Sequence, residues 1–293
     1  MKKKQVTMFC GMFFVLLLLF SGFSESLSSL KNMSNIKGDS DAKYWAIIAG
    51  YGANAHQIPC VNREISKIVQ LLNRYNWNKD QILVLQNEYT KKDDVMGMFD
   101  WLISEGVDED DVVLIFFSFH GSHKQDTIPL DEPNQMDGFL VTFDFEFETL
   151  ENGILDDEFG AALDRIPSEN IVVIVESCHA GEMIDGLEDL CGDGRVVLTS
   201  CNEEELSFFL YRRVIGLFPY YILKGMSGFA DRNHNGWISA EELYQYAEMR
   251  TLVQSYVCSF LMNSLPYCQH PQFFDGWPQE HNNTSELEFI KLR

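Results

Sequence analysis

Two long apolar runs constrain the fold of this chain more than any other feature. Residues 112–119 read VVLIFFSF and residues 171–175 read IVVIV, so both are dominated by β-branched or aromatic side chains. Runs of this kind are typical of strands that are covered on both faces, as in a parallel sheet. We therefore expect two central strands of an α/β sheet at these positions.

Segments with strand and helix patterns alternate along the rest of the chain. A strand at 44–50, an amphipathic helix at 62–75, a strand at 81–86 and a helix from Thr90 to about residue 105 precede the run at 112–119. This order predicts an open, mostly parallel sheet with right-handed crossovers and helices on both faces. The other predicted elements are helices at 155–166, 220–228 and 240–262 and a strand at 196–200.

Each of the two apolar runs ends in one member of a thiol–imidazole pair. The first run leads into His120 and Gly121, and the second leads through Glu176 into Cys178. The carboxyl ends of parallel strands are where ligands bind in open α/β sheets. A cysteine becomes a nucleophile at neutral pH when a base or cation lies beside it. The pattern therefore predicts a Cys178 nucleophile with His120 as its base in one crevice.

The segments FFSFHGS and VVIVESCHAG resemble the His-Gly and Asp-x-Cys-x-x-Gly motifs of caspase-like cysteine peptidases, most closely those of metacaspases. The resemblance spans roughly residues 43–276 and implies a caspase-like fold with a last strand at 269–276. It implies peptide or protein substrates, catalytic His120 and Cys178, and an oxyanion hole formed by the backbone N–H groups of Gly121 and Cys178. Glu176 stands where metacaspases usually carry Asp, so a legumain-type peptidase with Asn preference stays open.

Two acidic residues are candidates for binding the substrate. Glu176 precedes Cys178 by two positions, so strand alternation predicts that both side chains point the same way, beside the cleft. A carboxylate there would attract Arg or Lys, which metacaspases prefer before the scissile bond. The resemblance implies Asp126 as its partner, and a structural hydrogen bond is the alternative role for Glu176. His123 and His179 are weaker candidates, expected at the rim or on the surface.

Residues 231–242, DRNHNGWISAEE, match the fixed positions of the twelve-residue EF-hand calcium loop. Position six is glycine, as the turn requires. We expect modest calcium affinity, because only the first and last predicted ligands carry charge, and a structural brace, because sensing EF-hands usually come in pairs and the sequence contains a single such loop. A helix-turn-helix in which the polar residues merely cap is the alternative. The predicted ligands are Asp231, Asn233, Asn235, Trp237 through its carbonyl, Ser239 and Glu242.

A second acidic stretch, residues 126–144, is a further candidate for calcium. It resembles the Asp-rich loop of metacaspases that is implicated in calcium activation, and we expect a hairpin turn near Asp137 and Gly138. A solvated loop is the alternative. The formal net charge of −22 argues against a nucleic-acid partner, since phosphates require a basic face, and it fits bound divalent cations or basic substrates.

The ends of the chain have different compositions from its centre. Residues 1–28 combine three lysines, an apolar run and small polar residues, which predicts a signal peptide and a secreted or extracytoplasmic protein. A short uncleaved anchor is the alternative, and otherwise we expect no stable membrane association. Residues 29–42 are interpreted as a linker, 43–276 as the peptidase domain and 277–293 as a loose polar tail.

Six of the seven cysteines follow the predicted leader. If Cys178 stays reduced, at least one other thiol has no partner within the chain. Cys258 with Cys268 is the first pairing to test, because the loop between them is short. Two other functional classes stay open: an inactive pseudo-peptidase that binds calcium and acts as a scaffold, and a dedicated calcium-binding or adhesion module.

Overall fold

A six-stranded sheet forms the centre of the computed structural model, which describes residues 42–126, 134–186, 189–210, 212–261, 268–277 and 286–293. Its strands are β1 (Tyr44–Gly50), β2 (Ile82–Gln86), β3 (Val112–Ser118), β7 (Asn170–Glu176), β8 (Arg195–Thr199) and β10 (Gln272–Asp275). The strand order is β10-β8-β7-β3-β1-β2, and only β10 within this sheet runs antiparallel to its neighbour. The predicted open, mostly parallel sheet is confirmed.

Helices cover both faces of this sheet, as predicted. They are α1 (Ile58–Arg74), α2 (Lys92–Ser104), α3 (Asp156–Leu163), α4 (Leu217–Lys224) and α5 (Ala240–Leu261). Alternating strand residues supply two separate cores: one contains side chains of α1, α4 and α5, and the other contains side chains of α2 and α3. Strands β3 and β7 are buried along almost their whole length, and each buried aliphatic or aromatic side chain contributes roughly 1.5–3 kcal/mol.

Several helix boundaries differ from the prediction. Helix α1 begins four residues early, because Pro59 fits the first turn, where its missing N–H leaves no hydrogen bond unmade. Thr90 does not cap α2: its hydroxyl donates to the Asn87 carbonyl at 2.6 Å, and the helix begins at Lys92. Helix α4 begins at Leu217, before the predicted start, and ends in a wide turn at Gly225–Phe229.

A small antiparallel sheet adjoins the carboxyl edge of the main one. It consists of β4 (His120–Gln125), β5 (Met136–Val141) and β6 (Ile154–Leu155), in the order β4-β5-β6. The predicted hairpin near Asp137 and Gly138 is present, because β4 pairs antiparallel with β5, but both residues lie within β5 and not in the turn. Glycine at position 138 allows the backbone of β5 to pack closely against Glu182, since an added Cβ would lie 2.6 Å from that side chain.

The C-terminal segment is part of the fold. Strand β11 (Glu288–Lys291) pairs antiparallel with β9 (Trp237–Ser239), and Leu287, Phe289 and Ile290 are buried. The prediction of a loose tail is therefore wrong for residues 286–293, because apolar side chains alternate with charged ones there. Residues Lys43–Arg293 form one compact unit.

The predicted leader, residues 1–28, and nearly all of the predicted linker lie outside the described residues. Within the described ranges, no helix combines the length and apolar character needed to cross a membrane. All six cysteines after the leader are free. The pairing of Cys258 with Cys268, the first to test, is therefore not formed in this structure.

Candidate active site

The register of β3 and β7 brings His120 and Cys178 to one edge of the sheet. Ser118 lies directly opposite Glu176, and the Phe119 N–H continues the ladder by donating to the Glu176 carbonyl at 3.0 Å. His120 and Cys178 therefore each follow a paired position by two residues. Both side chains line the same small pocket, so the predicted juxtaposition is present.

His120 is held by the loop between β1 and α1. Its Nε2 lies 2.6 Å from Oε1 of Gln57. Burial lowers the pKa of His120, and a hydrogen bond with the backbone of Gly52 opposes that shift in part. The imidazole is therefore neutral near pH 7, which is the form that can accept a proton.

Cys178 is a protonated thiol in the resting structure. Burial raises its pKa, the backbone of Ser207 opposes this through a hydrogen bond, and the charge of Glu176 raises the pKa further. A preformed thiolate is therefore not the resting state. Reaction at this sulfur requires a base, and His120 is the neutral base that shares the pocket.

Gly121 is fixed by packing between the two ends of the site. A Cβ at this position would lie 2.2 Å from the carbonyl oxygen of Cys178 and 2.8 Å from Oγ of Ser177. The absence of a side chain thus allows the start of β4 to lie directly against the backbone of the cysteine loop. The reason for glycine is this backbone contact, in addition to any clearance for a substrate.

Two buried carboxylates lie close together at the pocket: Glu176 lines it and Glu64 lies behind it. Glu176 is 3 % exposed and accepts a hydrogen bond from the Ser207 hydroxyl. Glu64 of α1 is fully buried and accepts from Ser118 Oγ at 2.7 Å and from the Gly216 N–H at 2.6 Å. A Cβ at Gly216 would lie 3.1 Å from an oxygen of each carboxylate, which shows that both approach the same point.

Burial makes this carboxylate pair hard to ionise. It raises the pKa of Glu64 to about 7, and burial together with the charge of Glu64 raises the pKa of Glu176. Within the described part of the chain, neither carboxylate forms an ion pair with a lysine, arginine or histidine. A cation that enters the pocket would therefore stabilise the ionised form of these carboxylates.

The resemblance implied that Asp126 pairs with Glu176, but the structure does not contain this pair. Asp126 follows β4, its N–H donates to the Gln135 carbonyl at 3.0 Å, and its carboxyl lies against that of Asp137. Glu64 takes the predicted place beside Glu176. The reason is that α1 packs under the end of β3, whereas β4 leads Asp126 away from the strand ends.

His123 and His179 form a separate pair beside the site. Their rings are 4.7 Å apart, and His123 Nδ1 lies 3.0 Å from Glu182 Oε1. His179 adopts a left-handed backbone conformation, and its Nδ1 contacts the Glu203 carbonyl at 2.8 Å. His120, and not His123, shares the pocket with Cys178.

The predicted calcium loop is closed by hydrogen bonds between its own residues. Asp231 Oδ2 accepts from the Gly236 N–H at 3.3 Å, Asn233 Oδ1 from the Asn235 N–H at 2.9 Å, and Glu242 Oε1 from the Asn233 N–H at 3.1 Å. Gly236 has a φ of 86°, which favours glycine at position six. Asp231 Oδ1 is buried and has no hydrogen-bond partner within the described residues, so the donor set fits a bound cation.

Strand β11 contacts the same loop from outside the motif. Ser239 Oγ donates to Glu286 Oε2 at 2.9 Å, and Asn235 Nδ2 donates to Glu288 Oε1 at 2.6 Å. Trp237 begins β9, so its backbone lies in the ladder with β11. Two carboxylates that the motif does not contain therefore lie beside the predicted ligands.

A group of three carboxyl side chains lies near β5. Oxygen atoms of Asp156, Asp157 and Asp189 lie within 4.8 Å of one another. Burial raises the pKa of Asp156 to about 9, and the charge of Asp189 adds to the shift. This group lies next to the predicted acidic loop 126–144, because the Gly138 N–H of that loop donates to Asp156. These three carboxyl groups therefore lie outside residues 126–144, the range predicted to bind calcium.

Sequence reasoning missed Glu64, Gln57 and Ser207. For Glu64 a signal existed: helical spacing puts it on the same face as Val61, Ile65 and Ile68, which are buried. A charged residue on an apolar helix face could have marked it. Gln57 and Ser207 lie in irregular segments, where the sequence pattern carries no comparable signal.

Comparisons with known proteins agree with this geometry. Residues 49–187 match the family model described as "Metacaspase, peptidase C14 domain". The chain is 27 % identical over 149 residues to "Metacaspase-4" of Arabidopsis thaliana, which is 48 % of this chain and 34 % of that protein. It is 23 % identical over 143 residues to "Metacaspase-1A" of Neurospora crassa, which is 46 % of this chain and 30 % of that protein.

A third relative, "Metacaspase-6" of Arabidopsis thaliana, is 26 % identical over 149 residues, or 48 % of this chain and 38 % of the relative. The chain thus spans about a third of the length of the curated relatives that it matches. The matched region contains β3, β7, His120 and Cys178. The similarity to metacaspases therefore lies in residues 49–187, and the strand order is consistent with a caspase-like α/β fold.

Proposed function

We propose that this protein is a cysteine endopeptidase that hydrolyses peptide bonds after basic residues. The observation that carries the proposal is the single pocket lined by His120, Cys178 and the buried Glu176. Similarity to metacaspases supports peptide or protein substrates.

The reaction follows from the two neutral groups. His120 accepts the proton of Cys178 as Sγ attacks the peptide carbonyl, and it then donates that proton to the leaving amine. Water, activated by the same imidazole, hydrolyses the thioester. The backbone N–H groups of Gly121 and Cys178 are the proposed donors to the oxyanion, as the resemblance to metacaspases implies. The start of β4 at Gly121 lies against the backbone of the cysteine loop.

The preference for Arg or Lys rests on Glu176 and Glu64. A cationic side chain would supply the positive charge that is missing beside the two carboxylates, and it would lower the pKa of both Glu176 and Glu64. Glu176 lines the pocket, while Glu64 lies behind it, so Glu176 is the proposed direct contact. A legumain-type preference for Asn is the alternative, since a carboxylic acid can also hydrogen-bond an amide.

We also propose calcium as a structural cofactor in the loop 231–242. The ligands would be Asp231, Asn233, Asn235, Trp237 through its carbonyl, Ser239 and Glu242. The buried, unpartnered Asp231 Oδ1 supports this assignment. The acidic stretch 126–144 is the proposed second site, because it resembles the Asp-rich loop of metacaspases and carboxylate oxygens are ligands for calcium. When bound, calcium supplies positive charge and fixes these segments.

A secreted location is proposed from the sequence of residues 1–28.

The test is a panel of fluorogenic peptides with Arg, Lys, Asn or Asp before the scissile bond, assayed with and without calcium. We expect hydrolysis after Arg and Lys, and a loss on the order of 10³-fold or more in the Cys178→Ala variant. Cys258→Ala is the matched control, since Cys258 lies on α5 outside the pocket, and it should retain full activity.

Other outcomes separate the alternatives. Preference for Asn would favour the legumain-type reading, and preference for Asp would contradict the acidic pocket. If no peptide is cleaved and a thiol-reactive probe does not label Cys178 in calcium, the inactive scaffold is favoured. Calcium binding by calorimetry without any hydrolysis would favour a calcium-binding module.

A further inference from the structure

The loop between β1 and α1 folds tightly against the start of α1. A Cβ at Gly52 would lie 2.3 Å from the backbone nitrogen of Ile58, so the chain doubles back within six residues. The Asn54 N–H donates to the Gly52 carbonyl at 2.6 Å inside this turn. As a result, Gln57, the last residue before α1, turns its side chain into the pocket that contains Cys178.

The side chain of Gln57 is held from both directions. Its Oε1 lies 2.6 Å from His120 Nε2, and the same oxygen accepts a hydrogen bond from Asn54 Nδ2. Asn54 in turn is fixed because its Oδ1 accepts from the backbone N–H groups of His56 at 3.0 Å and Gln57 at 3.1 Å. Gln57 is therefore an ordered partner of the imidazole.

An oxygen acceptor at this distance selects one tautomer of a neutral imidazole. A ring nitrogen that faces an amide oxygen carries the proton, and the lone pair is then on the other ring nitrogen. With Gln57 Oε1 on Nε2, the lone pair that can accept a proton is on Nδ1. The wrong tautomer of a catalytic histidine can cost orders of magnitude in rate.

We propose that Gln57 is a positioning residue that keeps His120 in the Nε2–H tautomer, so that Nδ1 is the base. This inference rests on the proposed peptidase function. Gln57 acts through His120, which also forms a hydrogen bond with the backbone of Gly52. The other ionisable groups that line the pocket around His120 are Tyr51, Glu176 and Cys178.

The test uses two substitutions in the full chain. Gln57→Leu removes the acceptor at similar size, and we expect kcat to fall by about 10- to 100-fold with little change in KM. Gln57→Glu keeps the acceptor and adds a negative charge, so it should favour the protonated imidazole. The acid limb of the kcat/KM profile should then move to higher pH by about one unit or more.

A spectroscopic readout tests the tautomer without any substrate. The ¹⁵N shifts of His120 should report Nε2–H in the wild type and in Gln57→Glu above its raised pKa, and a mixture of tautomers in Gln57→Leu. Gln70→Leu is the matched control, because Gln70 lies exposed on α1 away from the pocket and should change none of these values.

The outcomes are separable from those of the proposed function. Unchanged ¹⁵N shifts in Gln57→Leu together with an unchanged His120 titration in Gln57→Glu would overturn the inference, even if the wild type is an active peptidase. If the wild type cleaves no peptide, the peptidase proposal fails, but the shifts and the titration still decide the role of Gln57.

Discussion

Two regions of the molecule contain a strong sequence motif: the carboxyl edge of the main sheet and the surroundings of β9. They differ in how many of the site residues belong to the motif. At the edge, both chemical partners, His120 and Cys178, follow apolar runs that predict their strands. Around β9, the motif at 231–242 covers one side, and β11 supplies the other with four residues that carry no motif. A motif therefore identifies the site residues that belong to one short segment. The residues that pack against them come from other segments, which no motif identifies.

The largest expected effect tests whether β11 is as integral as the strands of the main sheet. Phe289 is fully buried in β11, so Phe289→Ala should lower the free energy of unfolding by about 3–5 kcal/mol. Chemical denaturation monitored by circular dichroism measures the change. Phe260→Ala is the control, because Phe260 is 75 % exposed. A loss below about 1 kcal/mol would mean that the C-terminal strand contributes little to the fold.

The second prediction concerns the buried carboxylates at the edge. The folded-state pKa of Glu64 is raised to about 7, above its ordinary value of 4.5, so the folded protein binds the proton more tightly than the unfolded chain. The associated stability is present below pH 4.5 and is lost as the pH rises to about 7. The loss is on the order of 3 kcal/mol.

Glu64→Gln should remove this component of the pH dependence. We expect the wild type to lose about 3 kcal/mol more than the variant between pH 4.5 and 8, measured by urea denaturation at each pH. Comparison with the variant is needed because Glu241 and Asp185 also have pKa values raised to about 7. Parallel curves for the two proteins would contradict the buried, protonated state of Glu64.

The third prediction tests the close contact at the edge. Gly121→Ala places a Cβ within 2.2 Å of the Cys178 carbonyl, so the two backbones must separate. A displacement of about 1 Å at reacting groups can cost about 100-fold, and we expect a loss of that size in kcat/KM. Gly97→Ala on α2 is the control, because nothing lies within 4 Å of the added atom. Equal activities in the two variants would show that the contact does not position the site.

The smallest expected effect concerns the carboxylates that β11 brings to the proposed calcium loop. Glu288→Gln keeps the shape of the side chain that contacts Asn235 but removes its charge. Loss of one nearby charge costs about 1 kcal/mol, so calcium affinity measured by calorimetry should fall about fivefold. Glu88→Gln, at an exposed position outside the loop, should leave the affinity unchanged. An unchanged affinity in Glu288→Gln would separate β11 from the metal site.

Where prediction and structure differ, the cause is a contact between segments that are distant in sequence. Asp126 was the predicted partner of Glu176 because it resembles the acidic position that follows the His-Gly motif in metacaspases. Helix α1 instead brings Glu64 to that place. The hairpin predicted near Asp137 and Gly138 is present, but both residues lie in its second strand, where the glycine accommodates Glu182 and Asp156.

The amino-acid sequence by itself determined the central strands, the fold class and the edge at which His120 and Cys178 lie. These features follow from runs of apolar residues and from the positions at which those runs end, which are local properties. Only the tertiary structure decided that Glu64 joins Glu176, that Gln57 faces His120 and that β11 joins the loop at 231–242. Each of these pairs depends on which surfaces pack together, and a single polar residue in a helix or loop does not encode its distant partner.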